Sequence, residues 1–459
     1  MEMDEKLLQK YNTPVPRYTS YPPANYFNNS CTEREFLEAV KKSNGWEPES
    51  VSLYFHIPFC KKMCFYCGCN SCLLSDTESV EAYFRALKNE MGILAGLIDP
   101  SRKVTQVHLG GGTPNAVLPD YITRLMDSLR RNFTLGAYPE TAIECNPAYL
   151  DFPYLKQLLD SGFNRFSFGV QDFNLQVLKN VNRTSSYLPV EDLISYLRSE
   201  SKHVSVNLDF IYGLPGQTVK SFTNTIRKAI DTKPDRLVTF SYAHVPWVNE
   251  TQKNLEKMGL PGNKEKATMY SEARNMLLDS GYRAIGLDHF VLEDDELNKA
   301  LESERLHRNF QGYCTRETTG QVYAFGVSAI SQLQRVYAQN TKSVGEYTAS
   351  LLKNSVPVRK GYLLDDDEII IREVITQLMC NRQLTWSRLA SHLNLEVEEI
   401  KKVVGYNRKV LDKFKEDGII EFTDDRISVT DKGSMFIRNI AASFDPLMSA
   451  AGRKFSRSV

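Results

Sequence analysis

The sequence predicts an α/β protein carrying a smaller, mostly helical module at its carboxyl end, and three observations carry that prediction. From Val51 onward, short β-rich runs alternate with longer amphipathic stretches, the pattern of βα units around a parallel sheet. At Asp366 the pattern changes to helical periodicity, followed by a short β-ribbon. At 459 residues and 52.4 kDa the chain also exceeds one compact core, so a main domain with an added module is expected.

The elements are taken in order. Strands are expected at Ser52 to His56, Thr105 to Leu109, Thr141 to Cys145, Arg165 to Phe168, Ser205 to Phe210 and Arg236 to Ser241, about six βα units. The helices between them include Glu78 to Leu97, Pro119 to Asn132 and Val219 to Asp231. Such units form either a flat doubly wound sheet or an incomplete version of the eightfold barrel, and periodicity alone leaves both open. A seventh β-like stretch, Tyr282 to Leu287, leads into Asp288-His289-Phe290. The run Leu306 to Tyr313, mixing a cation, amides and aromatics, reads as a loop that either lines a flat charged ligand or is simply solvated. Gly326 to Ile330 reads as a turn and the start of a buried element. Beyond Asp366, helices are expected at Glu368 to Cys380, Thr385 to Leu393 and Glu396 to Asp417, then a hairpin from Ile419 to Thr430 around Asp424-Asp425. The expected segments are an arm over 1–48, the βα domain over 49–290, an extension with ligand-side loops over 291–365 and a winged-helix-like module over 366–459.

Composition narrows the function classes. Lys plus Arg equals Asp plus Glu at 56 each, which leaves no overall basic footprint for nucleic acid. Acidic residues in the winged-helix-like module, Glu396, Glu398, Glu399, Asp424 and Asp425, would repel phosphates, so a lid is expected there in place of a DNA reader. The basic tail Arg453-Lys454-Phe455-Ser456-Arg457 reads as solvated or drawn to an anionic ligand. The charged start, Met1 to Lys6, has no signal-peptide character, and no apolar run could cross a bilayer. A cytoplasmic, monomeric protein without membrane or nucleic-acid partners is expected.

Four of the nine cysteines fall within ten residues, in Cys60-Lys61-Lys62-Met63-Cys64-Phe65-Tyr66-Cys67-Gly68-Cys69. Thiols at that density point to a metal centre, and iron and sulfur are the natural reading. A zinc ribbon would need a second pair of ligands downstream; Cys72 is too close, and Cys145, Cys314 and Cys380 stand alone. A ferredoxin would space its thiols evenly and follow the fourth with Pro. A disulfide framework suits a short secreted chain with paired cysteines.

The other candidate groups share one rim, the carboxyl ends of the expected strands, where βα folds place their chemistry. The cysteine loop follows the first strand and Gly110-Gly111-Gly112-Thr113-Pro114 the second. Glu144 ends the third, Gln171 follows the fourth, Asp209 closes the fifth, and Tyr242-Ala243-His244 follows the sixth. Each has a bland alternative. The glycines could make only a tight turn, Glu144 and Asp209 could be structural pairs, His56 reads as a hydrogen-bonded scaffold residue, and Arg183 could be a surface cation or a bidentate carboxylate partner.

Three-then-two cysteine spacing with aromatic Tyr66 before the last thiolate resembles the signature of the radical S-adenosylmethionine enzymes. That resemblance implies a partial (β/α)6 TIM-like barrel and a 4Fe-4S cluster on Cys60, Cys64 and Cys67, whose open iron takes S-adenosylmethionine. Further matches are Pro16-Arg17-Tyr18-Thr19-Ser20-Tyr21-Pro22, Gly68-Cys69-Asn70, Gly169-Val170-Gln171-Asp172-Phe173, Ile211-Tyr212-Gly213-Leu214-Pro215 and the His307 to Tyr313 run. Together they are similar to the oxygen-independent coproporphyrinogen III oxidase (dehydrogenase) family over nearly the whole chain.

The family implies oxidative decarboxylation of two propionates of coproporphyrinogen III to vinyl groups, giving protoporphyrinogen IX in anaerobic haem biosynthesis. It also implies an electron donor and an electron acceptor that residues do not identify. Carried over by motif, Tyr54, Gly111, Glu144, Arg183 and Asp209 would contact a first S-adenosylmethionine. Tyr66, Gly112, Thr113, Gln171, Ala243 and Ile330 would contact a second, with Cys69 and Gln171 as the catalytic candidates. In that family the aromatics before the last thiolate run Tyr then Phe; here Phe65 precedes Tyr66. A substrate with four carboxylates needs cations, and Arg17 and Arg308 are the candidates. A related haem chaperone shares the cluster motif but lacks the fourth cysteine and the Pro-Arg-Tyr-Thr arm, both present here. A radical RNA-modifying enzyme is opposed by the neutral charge and acidic wing.

Overall fold

A computed structural model describes residues 5–247, 249–315, 321–449 and 455–456. The charged start at Met1 to Asp4, and Arg453, Lys454 and Arg457 of the basic tail, lie outside the described residues. The chain divides into two compact units, one of Asn28–Ser280 with Glu317–Leu363, the other of Met1–Phe27, Gly281–Arg316 and Leu364–Val459.

The first unit is built on strands β1 (Val51–Ile57), β2 (Lys103–Gly111), β3 (Thr134–Cys145), β4 (Arg165–Gln171), β5 (Ser205–Tyr212) and β6 (Arg236–Ser241). They pair in parallel in sequence order, as successive βα units dictate. Helices α1 (Thr77–Ala95), α2 (Pro119–Asn132), α3 (Phe152–Asp160), α4 (Leu175–Asn180), α5 (Val190–Glu200) and α6 (Val219–Asp231) form the crossovers, and α7 (Asn263–Asp279) follows β6. On the far side of β1 the sheet continues through β7 (Val322–Phe325), parallel to β1, and then antiparallel through β8 (Ile330–Gln332), β9 (Val336–Asn340) and β10 (Val358–Leu363). Of the two arrangements the sequence leaves open, the structure has the six-unit parallel core of the partial barrel.

Period-two alternation decides what each face of the sheet presents. Leu53, Phe55 and Ile57 on β1, Val107 and Leu109 on β2, Phe166 and Phe168 on β4, and Val206, Leu208 and Phe210 on β5 are all buried. The opposite face carries Tyr54, His108, Glu144, Ser167, Gln171 and Asp209, which are half-buried. The helices return an apolar stripe: on α1 the buried positions Val80, Tyr83, Phe84, Leu87, Met91 and Leu94 recur at helical spacing. Asp76 caps that helix by accepting from Ser79 N at 2.7 Å.

The second unit has its own core around Trp386, Val374, Leu378, Ile400, Ile427 and Ile440. Helices Asp366–Asn381, Trp386–Leu393, Val397–Val403 and Arg408–Glu416 pack with a ribbon of Ile420–Phe422 and Arg426–Val429, giving the expected winged-helix-like arrangement. A third strand, Gln383–Thr385, completes the small sheet against Arg426–Val429. The single helix expected from Glu396 to Asp417 is two. Gly405 takes φ +61°, where a side chain is unfavourable, and Asn407 caps the next helix by accepting from Lys409 N at 3.1 Å. The run expected as a loop after Leu306 is a hairpin, Leu306–Asn309 paired with Gly312–Thr315, turned at Gly312 with φ +140°. Asp425 accepts from Ser387 N at 2.8 Å, and Asp424 pairs with Arg408 at 3.0 Å, so both wing carboxylates are engaged inside the module. Among the described residues no helix is long and apolar enough to cross a membrane.

Candidate active site

The cysteine loop leaves the end of β1 and is fixed on two flanks by hydrogen bonds to its backbone. From the 180s, Asn182 Nδ2 donates to Met63 O at 2.8 Å, and Val181 O accepts from Phe65 N at 3.1 Å. From the segment after β6, Asn249 Nδ2 donates to Cys67 O at 2.6 Å, Thr251 Oγ1 to Phe65 O at 3.2 Å and Gln252 Nε2 to Tyr66 O at 3.1 Å. Cys60 is buried, Cys64 and Cys67 are half-buried, and Cys69 is exposed. Cys60 Sγ lies 3.4 Å from Thr113 Oγ1. A hydrogen bond with Cys69 draws the Cys67 thiol down to about 6 against burial, and Arg183 adds to the effect.

Arg183 closes the loop from the other side. Its Nη1 donates to Cys64 Sγ at 3.5 Å and to Tyr66 Oη at 3.1 Å, while Nη2 donates to Gly169 O. The notion of a free surface cation is therefore set aside, since this guanidinium ties the cysteine loop to β4.

The glycines make room that a side chain would fill. A Cβ on Gly112 would stand 2.5 Å from Pro58 O, and Gly112 N donates to Ile57 O at 2.8 Å. Gly111 has φ +113°, and a Cβ there would meet His56 Cε1 at 2.6 Å. The strand thus runs flush against the start of the cysteine loop, and Gly110 and Gly111 are its last residues; the turn expected after β2 begins only at Gly112.

Two carboxylates stand on the polar face. Glu144 accepts from His108 Nε2 at 2.9 Å and from Gly111 N at 3.2 Å. Burial opposes its ionisation, yet His108, the Gly111 amide and the charge of His56 together hold it below the usual carboxylate range. Asp209 accepts from Ser167 Oγ and from Asn207 Nδ2, each at 2.8 Å. It sits within β5, which runs on to Tyr212, so it does not close the strand. Gln171 is the last residue of β4, with φ +71°, and its Oε1 is buried without a hydrogen-bond partner among the described residues. A buried amide oxygen with no donor is costly and marks a place for a ligand N–H or O–H. His56 is the scaffold residue expected: its Nε2 contacts Asn70 O at 2.8 Å and its Nδ1 the Tyr54 hydroxyl at 3.1 Å. Ala243, just after β6, and Ile330, the first residue of β8, are both half-buried.

These residues fit a 4Fe-4S cluster with S-adenosylmethionine. Three thiols on one short loop leave one corner of a cube to a ligand. The glycine cradle, the two oriented carboxylates and the unsatisfied Gln171 oxygen suit a molecule with an ammonium and hydroxyls.

The relatives agree with that chemistry. Residues 54–229 match the model of the radical SAM superfamily, and residues 364–436 that of the HemN C-terminal domain. The chain is 38% identical to the oxygen-independent coproporphyrinogen III oxidase of Synechocystis sp., across 100% of this chain and 98% of the relative. It is also 38% identical, at the same coverage, to the enzyme of that name from Escherichia coli. It belongs to the oxygen-independent coproporphyrinogen III oxidase family of radical SAM enzymes. A solved structure of Escherichia coli coproporphyrinogen III oxidase, described as a radical SAM enzyme, superimposes with a TM-score of 0.89 at 37% identity, over 97% of this chain and 99% of that one.

One group that supports this oxidase-family site was invisible to motif reading. Glu90, on α1, is fully buried and holds the turn leading to Ile330. Its Oε2 accepts from Gly326 N at 2.8 Å and Tyr347 Oη at 2.5 Å, and its Oε1 accepts from Asn340 Nδ2 at 2.6 Å. On the same helix, Tyr83 Oη donates to His56 O at 2.7 Å and accepts from Val327 N at 3.0 Å, linking that turn to β1. Burial pushes the Glu90 carboxyl up to about 7 despite its three donors. The available signal was a carboxylate inside the apolar stripe of α1. His108, Asn182, Asn249 and Gln252 carried no comparable signal, because single polar residues near a strand end or in a loop are common.

Proposed function

We propose that this protein oxidatively decarboxylates two propionate side chains of coproporphyrinogen III to vinyl groups, giving protoporphyrinogen IX without oxygen. What carries the reading is full-length likeness to oxidases of that name, together with the three-cysteine loop on a rim of preformed polar groups. When bound, the cluster and S-adenosylmethionine supply a 5'-deoxyadenosyl radical. For each propionate one hydrogen atom leaves the β-carbon, carbon dioxide departs, and one electron passes to an acceptor.

The chain's residues prepare this chemistry by holding ligands still. Cys60, Cys64 and Cys67 are the cluster ligands. Glu144 and Asp209, already oriented by neighbours, face the ammonium and ribose hydroxyls of a first S-adenosylmethionine, with Tyr54, Gly111 and Arg183 completing its site. A second S-adenosylmethionine is proposed beside Tyr66, Gly112, Thr113, Gln171, Ala243 and Ile330, where the Gln171 oxygen awaits a donor. Cys69, hydrogen-bonded to Cys67, stands next to that second place, and it and Gln171 are the proposed catalytic residues.

The test is an anaerobic assay of reconstituted protein with coproporphyrinogen III, reductant and S-adenosylmethionine. Protoporphyrinogen and 5'-deoxyadenosine are expected together, one 5'-deoxyadenosine per vinyl group, with both lost in Cys64→Ser. Release of 5'-deoxyadenosine with no change in the porphyrinogen would overturn the reading.

A further inference from the structure

In the second unit, the amino-terminal arm brings arginine side chains together. Arg438 is buried, and its guanidinium donates to Pro16 O at 3.0 Å and to Val15 O, fixing the arm where Arg17 projects. On either side Val15, Pro16, Tyr18, Ser20 and Tyr21 are buried, and Tyr18 and Tyr21 donate to Asp445 at 2.8 and 3.1 Å. Arg17 alone in that run is exposed, and among the described residues its guanidinium makes no hydrogen bond or ion pair.

Arg308 comes to the same place from the hairpin of Leu306–Asn309 and Gly312–Thr315. Its Nη1 donates to Arg17 O at 3.3 Å, its guanidinium lies over the Tyr313 ring at 5.0 Å, and its Nε is buried with no acceptor among the described residues. The three arginines feel one another, since burial first and then the charges of Arg17 and Arg308 bring Arg438 down to about 9. Facing them is Asp288, which is already shared with His289 Nδ1 at 2.7 Å. Two guanidinium groups, those of Arg17 and Arg308, set against one carboxylate that His289 already shares cost energy unless an anion completes them.

We propose that Arg17 and Arg308 form a carboxylate-binding site that grips one propionate of the substrate, and that this is a propionate which is not being decarboxylated. The assignment rests on the functional reading above. The second half follows from electrostatics. A carboxylate leaving as carbon dioxide must give up its negative charge, and paired guanidinium groups stabilise that charge in the ground state, which would slow the loss. Two cations therefore suit an anchoring carboxylate, leaving the reacting propionate to be set by the geometry of the remaining ring.

The experiment uses the cluster-reconstituted enzyme, with coproporphyrinogen III binding measured by anaerobic equilibrium dialysis in the absence of S-adenosylmethionine. Arg17→Gln and Arg308→Gln are each expected to weaken binding about tenfold, the loss of one charge-assisted contact. In steady-state turnover the loss should fall on KM, with kcat within severalfold of wild type. Cluster absorbance and melting temperature serve as folding controls, and Arg17, whose guanidinium makes no hydrogen bond among the described residues, can be replaced without disturbing the arm. Unchanged affinity in both variants overturns the site. Unchanged affinity with a collapse of kcat overturns it too, by placing the arginines at the reacting group. A wild-type enzyme that binds no coproporphyrinogen would instead overturn the functional reading, and the site with it.

Discussion

At the rim of the parallel sheet, the charged groups are answered from within the protein: Glu144 by His108 and the Gly111 amide, Asp209 by Ser167 and Asn207, Arg183 by Tyr66, Cys64 and Gly169. Around the arm of the other unit, Arg17 and Arg308 form no ion pair among the described residues, and the one carboxylate that faces them, Asp288, is shared with His289. The first arrangement suits a ligand that carries an ammonium, a carboxylate and hydroxyls at fixed places, each of which needs an oriented partner. The second suits an anion, whose arrival relieves a repulsion already present. Preorganisation is thus achieved by saturation in one place and by deficit in the other.

Three substitutions probe this contrast. The largest effect is expected from Gly112→Ala, because the new methyl meets the Pro58 carbonyl at 2.5 Å and backbone must move. Thermal unfolding should show a loss of about 1–3 kcal/mol, and S-adenosylmethionine titration should show binding weakened by far more than the stability change explains. Wild-type affinity would mean that the saturated rim tolerates slack.

Next is Glu144→Gln, which keeps the shape and removes the charge. Binding of S-adenosylmethionine should weaken by about 1.5–3 kcal/mol, the worth of a charge-assisted contact, while coproporphyrinogen affinity is unchanged. A loss of porphyrinogen affinity would blur the division of labour between the two regions.

The smallest net effect at neutral pH is expected from Glu90→Gln. The folded carboxyl titrates near 7 against 4.5 in its ordinary state, so its protonated form is favoured by folding. Stability from this group is full below about pH 4.5, falls as pH rises toward 7, and is lost above it, a span of about 3 kcal/mol. Gln cannot titrate, and its amide would face the Asn340 amide, costing about 1–3 kcal/mol at low pH. Chemical denaturation across pH 4.5 to 8 should therefore show curves for wild type and variant that converge as pH rises; parallel curves would contradict the assignment.

Much of the rim was legible because strand ends and cysteine spacing are local features. Short β-rich runs located all six parallel strands, and the glycine run marked where backbone approaches the cysteine loop. Strand length was not local: hydrogen bonding to neighbours carries β5 on to Tyr212, which leaves Asp209 inside it. The hairpin around Gly312 was masked by a run of polar and aromatic residues with no strand-like alternation. The break after Val403 was written in Gly405 and Asn407, but the apolar spacing on both sides reads continuously through it. Hardest to read was the association of 1–27, 281–316 and 364–459 in one unit, since contacts across hundreds of residues leave no nearby trace. Arg17 was legible as a motif residue; its exposure beside Arg308 was visible only once Arg438 had placed it.

The bonds that Arg438 makes to Val15 and Pro16, and the one from Val15 N to Ser456 O at 3.2 Å, join stretches of chain separated by more than four hundred positions. During synthesis the arm emerges from the ribosome long before its anchors exist. The sheet unit can close around its own core while translation continues, but the arginine cluster can assemble only after Arg438 has been made.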